Sequence, residues 1–112
     1  NYREIRKNIA KKTKLLAVVK SNAYGHNLVE FSKEIEALGA DWIGVDSIVE
    51  AKTLRQEGIK APILVLGYTL LSLIQDARNL KISIRPISMI FFLSIFNFKI
   101  KNIIFIIFFC KN

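Results

Sequence analysis

Apolar positions in the first 84 residues follow two alternating periods. Tyr2, Ile5 and Ile9 recur at spacings of three and four, with Arg3, Lys7 and Lys11 outside that stripe, which predicts the latter part of a helix over 1–12. Lysines crowd its end, where the helix dipole favours positive charge. A continuous apolar run at 15–19 then reads as a buried strand, and Lys20 ends it abruptly. Small and polar residues follow through His26, the only histidine, and read as a loop. Asn27 is placed to cap a helix reaching about Leu38, with Leu28, Phe31, Ile35 and Leu38 on one face. Glu30, Lys33, Glu34 and Glu36 fall outside that stripe, and Lys33 is expected to meet only solvent. Gly39 is a natural stop.

The pattern then repeats. Residues 41–46 predict a second strand, and Ser47 caps a helix with Glu50 three residues on, the capping-box spacing. That helix carries Ile48, Ala51 and Leu54 and stops at Gly58. Residues 62–67 predict a third strand opened by a proline, 70–79 a short helix, and 81–84 the start of a fourth strand. Strands alternating with helices, each strand apolar throughout, mean a parallel sheet covered on both faces or part of a βα barrel. Periodicity alone leaves both open.

The tail breaks the pattern. Between Ile87 and Cys110 lie seven of the eight phenylalanines and long Ile/Phe runs, with Lys99 and Lys101 the only charges. A membrane helix needs roughly 20 mostly apolar residues, whereas Lys99 and Lys101 split this stretch into pieces of 12 and 8. A buried barrel segment would keep a helical or alternating period, which is lost here. Out-of-frame translation of AT-rich DNA yields Ile, Phe, Asn and Lys in bulk, and 86–112 is expected to be such a frameshifted or disordered tail. A membrane segment is the next reading, and membrane association is not expected.

Charge follows the same division. The net charge is +8, yet the first 76 residues hold eleven basic and all nine acidic residues, and the last 36 hold six basic and none acidic. The excess therefore belongs mainly to the tail, and no basic stripe with interleaved aromatics marks a nucleic-acid binder. A single Cys110 gives no internal disulfide and no Cys/His metal spacing, so no metal is expected. The opening residues are polar and basic, without a secretory pattern, and the expected location is cytoplasmic.

Candidate chemistry centres on the strand end. Read alone, Lys20 is a strand-end lysine with its stem on apolar surface and its ammonium in water. Glu50 could be imagined as a catalytic carboxylate, but helix capping explains it more simply. The carboxyl ends of parallel strands are nonetheless where ligands collect in βα proteins.

The string Ala17-Val18-Val19-Lys20-Ser21-Asn22-Ala23-Tyr24-Gly25-His26 resembles the cofactor-lysine motif of the alanine racemases. Ala40-Asp41-Trp42-Ile43-Gly44-Val45, Glu50-Ala51 and Pro62-Ile63-Leu64-Val65-Leu66-Gly67 are similar to that family's successive segments. The resemblance covers 1–80 and implies an α/β fold, a partial (β/α)8 TIM-type barrel containing the first βα units only, with 1–85 as the partial pyridoxal phosphate (PLP) domain. A whole barrel needs about 250 residues. The family's C-terminal β domain is absent from the 112 residues, so the chain is expected to be a fragment.

By resemblance, Lys20 is the Schiff-base lysine for pyridoxal 5′-phosphate and one of two bases, exchanging the Cα proton on the D-alanine face. Tyr24 is the residue that hydrogen-bonds the cofactor phosphate, and Leu66 lines the cofactor. His26 is given a structural or hydrogen-bonding loop role, and Asn27 stands where the family commonly carries glycine. The implied activity is interconversion of L- and D-alanine for peptidoglycan synthesis, by an enzyme that is a homodimer when intact. The second base, a tyrosine from the partner's β domain, lies outside this sequence, so the chain alone is expected to be inactive. A noncatalytic PLP-binding barrel protein and a racemase of broader amino-acid specificity are the alternatives. The Asn22 to His26 string argues against the first.

Overall fold

The computed structural model describes residues 2–84 and the backbone of 103–107. Helix α1 (Tyr2–Asn8) leads into strand β1 (Lys14–Val18). A five-residue helical turn, α2 (Lys20–Tyr24), follows at once, and then come α3 (Leu28–Ala37), β2 (Trp42–Val45), α4 (Ile48–Gln56) and β3 (Ile63–Val65). A 3-10 turn (Leu71–Leu73) runs into α5 (Ile74–Asn79), β4 (Ile82–Ile84) closes the alternation, and β5 (Ile103–Ile107) comes from the tail. The strands form one sheet in the order β4-β3-β2-β1-β5, every neighbouring pair parallel. Sequential strands pairing side by side, with helices between them, is the arrangement of the first βα units of a barrel.

The apolar runs explain the layering. Leu15, Ala17 and Val19 point to one face, where Val19 joins Ile43, Val45, Ile63 and Val65 against Ile48, Ala51 and Leu54 of α4. Leu15 and Ala17 pack with Tyr2 and Ile35 of the flanking helices. Leu16, Val18 and Leu64 occupy the opposite face with Trp42 and Leu66. Both faces of β1 are buried, as a parallel strand requires.

Polar clamps tie the amino ends of the strands. The Asp41 carboxylate accepts the Leu15 N–H at 2.9 Å and faces Lys14 and Arg6. Glu36 accepts the N–H groups of Lys60 and Ala61 at 2.7 and 2.6 Å. Arg55 donates to four carbonyls, those of Ile59, Ala61, Leu80 and Lys81, which fastens α4 to the starts of β3 and β4. Burial lowers the Arg55 pKa from its ordinary value, against the opposing pull of Glu36.

Several sequence expectations need correction. The first helix ends at Asn8, short of Lys12, and the stretch after Lys20 is a helical turn rather than an open loop. Lys33 meets Glu57 at 3.3 Å instead of solvent alone. No strand was expected in the tail, yet Ile103–Ile107 pairs with the whole of β1, from Lys14↔Ile103 to Val18↔Ile107. It takes the edge of β1 that a closed barrel offers to its last strand. The rest of the 86–112 tail lies outside the described residues, and with it the frameshift expectation.

Candidate functional site

The site begins where β1 ends. The Val19 N–H donates to the Gly44 carbonyl at 2.8 Å, so the backbone is still tied to β2 one residue before Lys20. Residues 21–24 then adopt φ of +53° to +54°, a left-handed helical turn made entirely of residues with side chains. Each residue in that conformation costs about 1–2 kcal/mol, because Cβ crowds the following carbonyl. Strain of this kind persists only where the surroundings over-determine it, and it concentrates at functional sites.

The surroundings here are explicit. Ala23 donates its N–H to the Val19 carbonyl at 2.8 Å and is 1 % exposed. Gly25 and His26 donate back to the carbonyls of Asn22 and Ala23, both at 3.1 Å. The Asn22 side chain accepts the Leu28 N–H at 2.9 Å, so the turn is sewn to the first residue of α3. Asn27 caps that helix, its Oδ1 accepting from Val29 and Glu30, with φ at +69°. Asparagine tolerates such a φ better than most residues. His26 stacks on Phe31, ring centroids 5.4 Å apart, consistent with a structural role.

Lys20 opens this turn and Tyr24 closes it, and both are half-buried. Among the described residues, no carboxylate or hydrogen-bond partner meets the Lys20 ammonium. Leu66 follows the end of β3 and donates its N–H to the Val45 carbonyl at 2.8 Å. Its side chain reaches over Gly44, where an added Cβ would lie 3.2 Å from Leu66 Cδ1. Lys20 and Tyr24 thus stand at the carboxyl end of β1 and Leu66 at that of β3, two parallel strands separated by β2. Beside them lies an apolar floor of Leu16, Val18, Leu64 and Leu66. Among the described residues there is no cluster of metal-ligating side chains and no helix long and apolar enough to cross a membrane.

The family profile described as "Alanine racemase, N-terminal domain" matches residues 1–88. The chain belongs to the alanine racemase N-terminal domain family. It is 48% identical over 69 residues to alanine racemase 1 of Caldanaerobacter subterraneus subsp. tengcongensis, spanning 62% of this chain and 18% of that one. The alanine racemase of Clostridium difficile superposes with a TM-score of 0.72 at 36% identity, over 74% of this chain and 22% of that one. A histidine racemase from Leuconostoc mesenteroides superposes with a TM-score of 0.65 at 34% identity, over 71% and 21%. The chain therefore spans about a fifth of the length of these racemases.

Family membership bears out the partial-barrel expectation for the alternating βα region. Two parts of the site escaped the sequence reading. The left-handed turn has no glycine between Ser21 and Tyr24 to signal positive φ. Glu50 was read as a helix-capping residue, and the cap is present, with Ser47 Oγ accepting the Glu50 N–H at 3.3 Å. Its carboxylate, however, goes elsewhere, accepting the N–H groups of Asp46 at 2.8 Å and Asn22 at 3.4 Å.

Proposed function

We propose that this chain is the cofactor-lysine portion of a PLP-dependent amino-acid racemase acting on alanine, with Lys20 as the residue that bonds the cofactor. The observation that carries the reading is the left-handed turn begun by Lys20 and ended by Tyr24 at the carboxyl edge of β1, in a chain of this family. A strained turn of four side-chain-bearing residues is costly to keep for packing alone.

The residues present suit the cofactor. The Lys20 Nζ, half-buried and engaged by no carboxylate among the described residues, would be open to bond the cofactor aldehyde. The Tyr24 hydroxyl would donate a hydrogen bond to the phosphate, and Leu66 with Leu16 and Val18 would give the ring an apolar wall. PLP, when bound, supplies the electron sink that makes the Cα–H of an amino acid acidic. The freed Lys20 Nζ would hold and return the Cα proton on the D-alanine face. Inversion needs a second base on the opposite face, which we assign to a tyrosine of the partner subunit in a homodimer. These 112 residues carry one of the two bases, so they are expected to bind cofactor without racemising. In the whole enzyme the product, D-alanine, would serve peptidoglycan synthesis in the cytoplasm. The likeness to a histidine racemase favours a second reading in which the same lysine turn serves a different amino acid.

Titrating the chain with PLP tests the reading. The expected result is a saturable visible absorbance that Lys20→Ala abolishes and Lys33→Ala leaves intact. Equal absorbance from the Lys20→Ala chain would overturn the assignment.

A further inference from the structure

Glu50 does more than its helix requires. A capping box returns the carboxylate to the N–H of the capping residue itself. Here the cap is Ser47, yet the Glu50 carboxylate passes it and takes the N–H of Asp46 at 2.8 Å with one oxygen. The other oxygen reaches a segment 28 residues earlier, accepting the N–H of Asn22 at 3.4 Å in the middle of the left-handed turn. Asn22 is fixed on its other side as well, since its side chain accepts the Leu28 N–H. The turn is thereby held between α3 and α4 through one residue, and that residue lies two positions after Lys20 and two before Tyr24.

We infer that Glu50 is a positioning residue for the cofactor lysine: its carboxylate bridges the Asn22 and Asp46 N–H groups, and the bridge sets where Lys20 and Tyr24 stand at the carboxyl end of β1. This rests on the reading of Lys20 as the PLP lysine. Glu50 touches neither cofactor nor substrate and acts only through the turn. The carboxylate suits the task because it is acceptor-only and offers an oxygen to each N–H. Glutamine in its place has one acceptor oxygen and turns a donor toward the second N–H. Shape is kept, and one half of the bridge is lost.

The test compares Glu50→Gln and Ser47→Ala in the full 112-residue chain, with two readouts. The first is amide hydrogen exchange at Asn22 and Ala23 without cofactor. The second is the rate and half-saturating PLP concentration of adduct formation at Lys20, trapped with borohydride. Ser47→Ala weakens the cap on the same helix without touching the bridge, so it reports what helix loss alone would do. The expected result is that Glu50→Gln speeds exchange at Asn22 at least tenfold. It also slows adduct formation at saturating PLP about tenfold, while Ser47→Ala changes neither by more than twofold. Unchanged exchange in Glu50→Gln overturns the bridge, whatever the cofactor does. Faster exchange with an unchanged Lys20 rate overturns the positioning role. Equal slowing by both variants reduces Glu50 to a helix cap and also overturns it. If exchange depends on Glu50 but the unaltered chain forms no Lys20 adduct, the cofactor reading itself fails and the positioning role falls with it.

Discussion

The Asp41 carboxylate accepts the backbone N–H of Leu15 at 2.9 Å, across the pairing of β1 with β2. Burial pushes the Asp41 pKa up, but the Leu15 N–H, the Lys14 ammonium and the Arg6 guanidinium outweigh it and hold the carboxyl below its ordinary value. A depressed folded-state pKa stabilises the fold above the unfolded pKa, about 3.9, and that stability is lost as pH falls through the folded value. Asp41→Asn should therefore lower the urea midpoint by a constant amount above about pH 5 and by a shrinking amount below about pH 4. A gap that stays constant into acid would show that charge plays no part in this clamp.

Arg55 gathers carbonyls from the loops before β3 and β4 with three of its nitrogens, at 2.7 to 3.2 Å. Lysine keeps the charge but lacks the planar fork, so it cannot serve four acceptors at once. Arg55→Lys is expected to destabilise the chain by about 1–3 kcal/mol, through carbonyls left without donors. Equilibrium denaturation measures this, and a loss within error of zero would mean that water replaces the fork.

Gly67 and Gly39 separate two reasons for glycine. An added Cβ at Gly67 would lie 2.2 Å from the Asp46 carbonyl oxygen, backbone that cannot swing away. At Gly39 the space is open and only φ of +86° opposes a side chain. Gly39→Ala should cost about 1 kcal/mol, and Gly67→Ala more, about 2–3 kcal/mol, with Leu66 displaced. Thermal melts of the two variants check the ranking.

Ser21 is exposed and sits at φ +54° in the left-handed turn. Ser21→Gly removes the Cβ conflict but frees the unfolded chain, so the net expectation is stabilisation of about 0.5–1 kcal/mol. A lower melting temperature would show that the turn is not strained at this residue.

Much of this architecture was legible in the sequence because it is local. Continuous apolar runs bounded by Lys20, Asp46 and Gly67 mark the buried parallel strands, and Asn27 and Ser47 announce the helices they cap. The end of α1 fell four residues early and β1 shifted by one, as helix ends and strand edges depend on tertiary packing. What stayed hidden was long-range. Nothing near Glu50 reveals that its carboxylate meets Asn22, nor anything near Glu36 that it caps Lys60 and Ala61. The left-handed turn was hidden for another reason: it is built by neighbours imposing positive φ on Ser21, Asn22, Ala23 and Tyr24, against their own preference. Strand β5 has no alternation in its sequence to mark it as a strand, and its place in the sheet comes only from its pairing with β1.

The most direct test of the central claim is to incubate the chain with PLP at stoichiometric concentration, reduce with borohydride and map the pyridoxyl adduct by peptide mass spectrometry. A single dominant adduct on Lys20, with Lys33, Lys52 and the other lysines unmodified, is the result expected of a built cofactor site. Adducts spread over exposed lysines, with Lys20 unfavoured, would contradict the assignment of Lys20 as the cofactor lysine.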